Sequence, residues 1–301
     1  MTAKPTDVLI LTEDRYVQLD PRDWYQAQIA REEDLLASAL GELGLRVARR
    51  SWADPAVDWT RCGCALFRST WDYFDRFAEF SPWLERASTA TRLFNDAGLI
   101  RWNVDKHYLA DLAARGVAIV PTRFVERGEA ASLAAIMAAE GWDEIVFKPA
   151  VSGAARLTFR VSLATVAAHE AVFARCVAQE AMMVQVFEPA VLDHGELSLV
   201  VIDGGTTHAI RKTPRAGDFR VQDDHGGTVH PHQADAAERA FAEAAVAACP
   251  SLPLYARVDF VRTAPGVFRL MELELVEPEL FFRFHPPAAQ VLAQALAEKL
   301  R

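Results

Sequence analysis

No apolar run in this chain approaches the ~20 residues that a membrane-spanning helix needs, so a membrane-embedded protein is not expected. Basic charge is also short: 32 Lys and Arg face 41 Asp and Glu, a net −9, which argues against nucleic-acid or membrane-surface partners. Cysteine is scarce. The four present, Cys62, Cys64, Cys176 and Cys249, lack zinc-ligand spacing and read as buried free thiols. The polar start Met1–Asp7 and the short run Val8–Leu11 do not read as a signal peptide, so the expected location is cytoplasmic. Neither a GxxxxGK[ST] nor a GxGxxG phosphate loop occurs. A GxSxG elbow is missing too, which removes support for hydrolysis by a serine nucleophile. The histidines lack ligand spacing, and His230-Pro231-His232 reads as surface loop.

What the chain does have is apolar content, 51% of 301 residues, enough for two or three domains. Near its end, Tyr255–Val261 and Val267–Val276 flank Ala264-Pro265-Gly266, which predicts a β-hairpin. Side chains two apart on a strand share a face, so Glu272 and Glu274 point together, and a short turn brings Asp259 near them. Carboxylates that close repel unless a cation lies among them. Hard oxygen donors without His or Cys suit Mg²⁺ or Mn²⁺, and Mg²⁺ commonly arrives with phosphates. The alternative is a solvated acidic strand face.

Upstream, Val8–Leu11, Arg46–Arg49 and Cys64–Arg68 read as strands and Glu32–Leu43 as a helix ending at Gly44, a parallel α/β pattern. Ligands of such sheets bind at the carboxyl ends of strands, where Arg68-Ser69-Thr70-Trp71-Asp72-Tyr73 falls. Arg68 there suits a carboxylate and Asp72 an ammonium group; otherwise both are surface charges. Asp105–Arg115 reads as a helix with Lys106 in its first turn, Val117–Thr122 as a short strand, and Ser132–Glu140 as an Ala-rich helix. Ile145–Pro149 carries Lys148 to the start of a small-residue loop, Val151–Arg156, which suits a phosphate cradle. Met182–Phe187 is a further apolar strand, and Glu196–Ile202 with Thr206–Lys212 predicts a hairpin across Asp203-Gly204-Gly205. The cation-rich stretch Arg211–Arg220 suggests an anion site or a solvated loop. Asp235–Ala248 and Ala288–Leu300 read as helices.

The ordered set of Lys106, Lys148 before a small-residue loop, MVQVFEPA, Arg220, and then Asp259, Glu272 and Glu274 resembles the ATP-grasp ligases, in the glutathione-synthetase-like branch. That resemblance implies an α/β fold with an α+β lid: an N-terminal parallel α/β substrate domain over 1–100, a lid over 101–184, and a C-terminal ATP- and metal-binding part over 185–301. It implies ATP phosphates on Lys106 and Lys148 under a loop holding Ser152 and Gly153. Adenine is implied on Gln185, Val186, Phe187 and Glu188, and ribose on Glu196. Arg220, with Lys148, is implied to steady an acyl phosphate, and the metal ligands are implied to be Asp259, Glu272 and Glu274. Two departures stand out: Glu274 replaces a frequent Asn, and the lid loop has one Gly where many relatives have several. RSTWDY, FEPAVLDHGELSLVVIDG and MELELVEPELFF are similar to the narrower group of O-ureido-serine cyclo-ligases and their relatives. The group implies ATP-driven activation of an amino-acid-like carboxylate followed by ring closure, and it suggests a homo-oligomer. Substrate candidates are Arg68, Trp71, Asp72, Tyr73 and Arg215. A ligase joining two amino acids, a silent ATP-binding regulatory module and a metal-dependent phosphohydrolase are the alternatives.

Overall fold

The computed structural model describes residues 6–222 and 226–301, so His225, read above as a lone histidine, lies outside the described residues. Three sheets follow one another along the chain. The first is parallel, in the order β2-β1-β3-β4: β1 (Thr6–Thr12), β2 (Val47–Ser51), β3 (Cys62–Ser69) and β4 (Arg92–Phe94). Its crossovers run through α1 (Trp24–Glu42) and α2 (Phe77–Ala90). α1 starts well before the expected Glu32, because the Asp23 carboxylate caps the backbone N–H groups of Tyr25 and Gln26. Buried Glu32 and Glu33 break the apolar periodicity that would have revealed those first turns. α2 escaped the sequence reading because Pro82 sits inside it, yet Phe80, Trp83, Leu84 and Ala87 form its buried stripe.

Two short helices, α3 (Ala97–Asn103) and α4 (Tyr108–Ala114), lead out of this sheet. Lys106 belongs to the turn between them and not to a first helical turn. The strand expected over Val117–Thr122 is reduced to a bridge between Ile119 and Leu270, and pairing starts only at Thr122. The second sheet, β5-β8-β6-β7, is antiparallel and comprises β5 (Thr122–Val125), β6 (Glu144–Pro149), β7 (Phe159–Ser162) and β8 (Met182–Val186), with α5 (Leu133–Glu140) and α6 (Val166–Gln179) between its strands. Ile145 and Phe147 pack with Leu133, Met137 and Phe173 of those helices. By the two-residue alternation of a strand, Val146 and Lys148 face the other way, into a large cleft.

After α7 (Ala190–His194), the third sheet has the order β11-β10-β9-β12-β13: β9 (Glu196–Ile202), β10 (Gly205–Thr213), β11 (Thr228–His232), β12 (Tyr255–Ala264) and β13 (Val267–Glu274). All its pairings are antiparallel. His230-Pro231-His232 is therefore edge strand and not loop; an edge tolerates proline because the missing N–H faces away from the ladder. α8 (Ala236–Ala247) begins with a capping box between Asp235 and Glu238. α9 (Pro287–Leu300) returns to pack Leu292 and Leu296 against Leu36 and Leu40 of α1. Among the described residues, no helix is long and apolar enough to cross a membrane.

Asn95 joins the first sheet to the third. Its amide donates to the carbonyls of Tyr255 and Leu275, and its oxygen accepts from the Leu254 N–H. Replacing it by alanine strands three buried backbone groups. Asn95→Ala is expected to cost about 3 kcal/mol, read as a lowered urea midpoint with an unchanged slope.

Candidate active site

The site is built on one face of the third sheet. The β12–β13 register sets Asp259 opposite Glu272 and Arg257 opposite Glu274. Directly opposed residues present their side chains on the same face. On the other side of β12, Ser198 pairs with Asp259, and Lys212 of β10 pairs with Glu196 of β9. Four strands thus contribute alternating charges to one surface. Asp259 accepts from the Ser198 hydroxyl at 2.5 Å, from Lys212 Nζ at 3.1 Å, and from Arg257 Nη2 at 2.8 Å. Arg257 also pairs with Glu274, and Lys212 Nζ lies 2.5 Å from Glu196.

Two lysines arrive from outside the sheet. Lys106 is buried, with Nζ 3.2 Å from Glu272 Oε1 and 2.5 Å from the Ser152 carbonyl. Lys148 Nζ lies 3.5 Å from the other oxygen, Glu272 Oε2. Burial alone would raise the Glu272 pKa, but these two ammonium groups hold it down at about 2. At Asp259, Arg257 and Lys212 likewise outweigh burial and hold the carboxyl well below its usual range. Glu274 goes the other way: burial, reinforced by the Asp259 and Glu272 charges, pushes it up to about 7 despite Arg257. Glu277 is pushed up to about 8 by burial and then by Glu274.

Three acids gathered as a ready cation cage are not found among the described residues. Asp259 is occupied by Arg257, Lys212 and Ser198, which changes the expected picture of three free carboxylates. The donor set still fits a hard divalent cation. Glu272 and Glu274 share a face and reach the cleft with carboxylate oxygens, the hard donors such a cation takes.

The cleft has a volume of about 780 Å³ and is lined by residues of the second and third sheets and, from the N-terminal part, by residues that follow β1 and β3. Lys106, Lys148, Ser152, Gly153, Gln185, Val186, Phe187, Glu188, Glu196 and Arg220 all reach it. Gln185 donates its amide to the Thr122 hydroxyl at 2.9 Å, and the Arg160 guanidinium lies 3.8 Å over the Phe187 ring. Arg220 is clamped to Asp218 at 2.7 Å. Glu196, expected at a ribose, turns instead to Lys212. Of the substrate candidates, Trp71 lines the cleft, and so does Tyr73, although most of Tyr73 is buried among Phe80 and Trp83. Arg68, Asp72 and Arg215 are not among the cleft-lining residues. Arg68 is buried against Glu32 at 2.9 Å, while Asp72 accepts from Trp52 at 2.7 Å and Arg76 at 2.9 Å. Asp72 is thus engaged within its own wall, whereas Arg68 keeps Nε and Nη1 without a hydrogen-bond partner among the described residues and lines a small cavity with Tyr25, Trp71 and Glu279.

Sequence reasoning passed over Arg257 and placed Lys212 in a cation-rich stretch rather than on this face. The signal for Arg257 was present, since it precedes Asp259 by two positions on a strand and must share its face.

The fold and this charged face define the class: an ADP-forming ATP-grasp ligase. D-alanine–D-alanine ligase from Bacillus anthracis shares the fold, with a TM-score of 0.66 at 14% identity over 98% of this chain and 97% of that one. The family model described as D-cycloserine synthetase DcsG, N-terminal domain, matches residues 8–95. The cycloserine biosynthesis protein DcsG of Streptomyces lavendulae is 37% identical over 286 residues, covering 88% of this chain and 93% of that protein. The crystal structure of D-cycloserine synthetase DcsG superposes with a TM-score of 0.84 at 34% identity, covering 98% of this chain and all of that one. The chain belongs to the D-cycloserine synthetase family of ATP-grasp ligases.

The raised Glu277 pKa has a defined effect on stability. Below about pH 4.5 the group is protonated in both folded and unfolded chains; between there and about pH 8 only the folded chain holds the proton. The stability it contributes is therefore lost as pH rises through that window. Glu277→Gln should gain on the parent by about 3–4 kcal/mol between pH 5 and pH 8, measured by urea unfolding at both values. A constant difference would show that Glu277 ionises normally.

Proposed function

We propose that this enzyme phosphorylates the carboxylate of an amino-acid-like substrate with ATP and closes a ring by attack of a nitrogen within the same molecule. The relation to D-cycloserine synthetase supports ring closure. The observation that carries the chemistry is Glu272 held between Lys106 and Lys148. Two ammonium groups from separate elements converge there, where nucleotide phosphates would compete for them.

A carboxylate is a poor electrophile, and joining it to phosphate supplies a leaving group that nitrogen can displace. The enzyme must align the two reactants and spread charge in the transition state. Lys106 and Lys148 would hold the phosphates under the Ser152–Gly153 loop, and the Gln185–Glu188 strand end would take the adenine. Asp259, Glu272 and Glu274 would hold Mg²⁺, whose role is to neutralise and orient phosphate oxygens. Arg220, paired with Asp218 at the cleft, would steady the developing acyl phosphate, and Arg257, paired with Asp259 and Glu274 on the same face as those acids, would hold them in place. Lys212, pinned between Glu196 and Asp259, positions those acids. Trp71 and the exposed edge of Tyr73 form the substrate side. The working domains are taken as 1–100, 101–184 and 185–301, and the four buried free thiols suit a cytoplasmic setting.

An ADP-release screen over amino acids, O-substituted serines and dipeptides tests this reading. ADP release should require one such carboxylate and yield a product of one substrate molecule. Lys148→Met and Glu272→Gln should each lower kcat by about 10²–10³, by analogy with the loss of one transition-state contact. Equal ADP release without any carboxylate would mark a phosphohydrolase. Nucleotide binding without turnover on the whole panel would mark a silent module.

A further inference from the structure

The loop between β6 and β7 bears an unusual backbone. Ala154 (φ 48°), Ala155 (φ 53°) and Leu157 (φ 48°) all lie in the left-handed region that non-glycine residues avoid. Such conformations persist only where surrounding contacts hold them. Several contacts come from neighbouring elements. Arg156 is bonded to Glu180 at 2.5 and 3.0 Å, the Ser152 hydroxyl reaches the Arg156 carbonyl at 3.3 Å, and Lys106 holds the Ser152 carbonyl.

One contact crosses the cleft. A Cβ placed on Gly153 would sit 2.5 Å from Phe74 Cε1 and 2.9 Å from Cδ1, so the Phe74 ring rests on the bare Cα of Gly153. Phe74 belongs to the turn after β3, on the opposite wall, and its neighbour Asp75 lies 3.9 Å from Arg156 Nε. Phe74, Asp75, Gly153 and Arg156 all line the cleft. Gly153 is the loop's single glycine, and it stands where a side chain would unseat the ring.

We propose that Phe74 is a positioning residue that closes this loop: its ring, seated on Gly153, makes the N-terminal turn the latch for the loop beside Lys106 and Lys148. The order of the phosphate-side loop then depends on the wall that faces substrate. Disturbing that wall loosens nucleotide, and the strained segment 154–157 opens first because it springs back once the ring leaves. This rests on the reading of Lys106 and Lys148 as the phosphate end of the cleft.

The test uses AMP-PNP with Mg²⁺ as the probe and two readouts: its dissociation constant by calorimetry, and the rate at which trypsin cuts after Arg156, mapped by mass spectrometry. Phe74→Ala and Gly153→Ala should each weaken AMP-PNP by about tenfold and speed that cut, with melting temperature unchanged. The double variant should be no worse than Phe74→Ala alone, because the new methyl then has no ring to meet. Phe74→Tyr should retain parental values. If Phe74→Ala lowers the melting temperature, Phe74→Leu takes its place with the same expectation. Effects that multiply in the double variant, or an unchanged cut after Arg156 in both single variants, overturn the latch. AMP-PNP binding that survives Lys148→Met overturns the phosphate reading instead, so the two failures are distinguishable.

Discussion

Glu272 is where three parts of the chain meet electrostatically. Lys106 comes from the turn before α4, Lys148 from β6 of the second sheet, and the carboxylate itself from β13. Lys106 is buried, and a charge that deep is tolerable only when paired, whereas Glu272 and Lys148 are partly exposed to the cleft. The contact therefore does two jobs. It joins the second sheet and the turn before α4 to the third sheet, and it gathers two ammonium groups on one carboxylate. On the proposed reading, nucleotide would compete with Glu272 for those lysines, and the released carboxylate would be available to a cation.

The rest of the charged face follows from strand geometry. Arg257 and Asp259 alternate on β12, Glu272 and Glu274 on β13, and the register aligns the two pairs. Burial and mutual repulsion split the acids into two kinds. Asp259 and Glu272, each with two cations near, stay ionised, whereas Glu274 and Glu277 retain protons close to neutrality.

Much of this was legible in the sequence wherever one local rule sufficed. The β12–β13 hairpin followed from its Pro-Gly turn, and the shared face of Glu272 and Glu274 from the two-residue period. The parallel first sheet followed from alternating strand and helix patterns. What was hidden depended on partners far away in sequence. The pairing of Arg68 with Glu32, and of Asp72 with Trp52 and Arg76, could not be read from local spacing. Lys212 looked like one of several loop cations because its strand pairing with Glu196 was not combined with the position of Asp259. α2 was masked by Pro82, and the start of α1 by two buried glutamates.

The central claim is that Lys106 and Lys148 exchange Glu272 for nucleotide phosphates. A crystal structure with a non-hydrolysable ATP analogue and Mg²⁺ tests it most directly. The account predicts both Nζ atoms within hydrogen-bonding distance of phosphate oxygens and a cation contacting Glu272. Lysines still paired to Glu272, with the nucleotide bound elsewhere in the cleft, would contradict it.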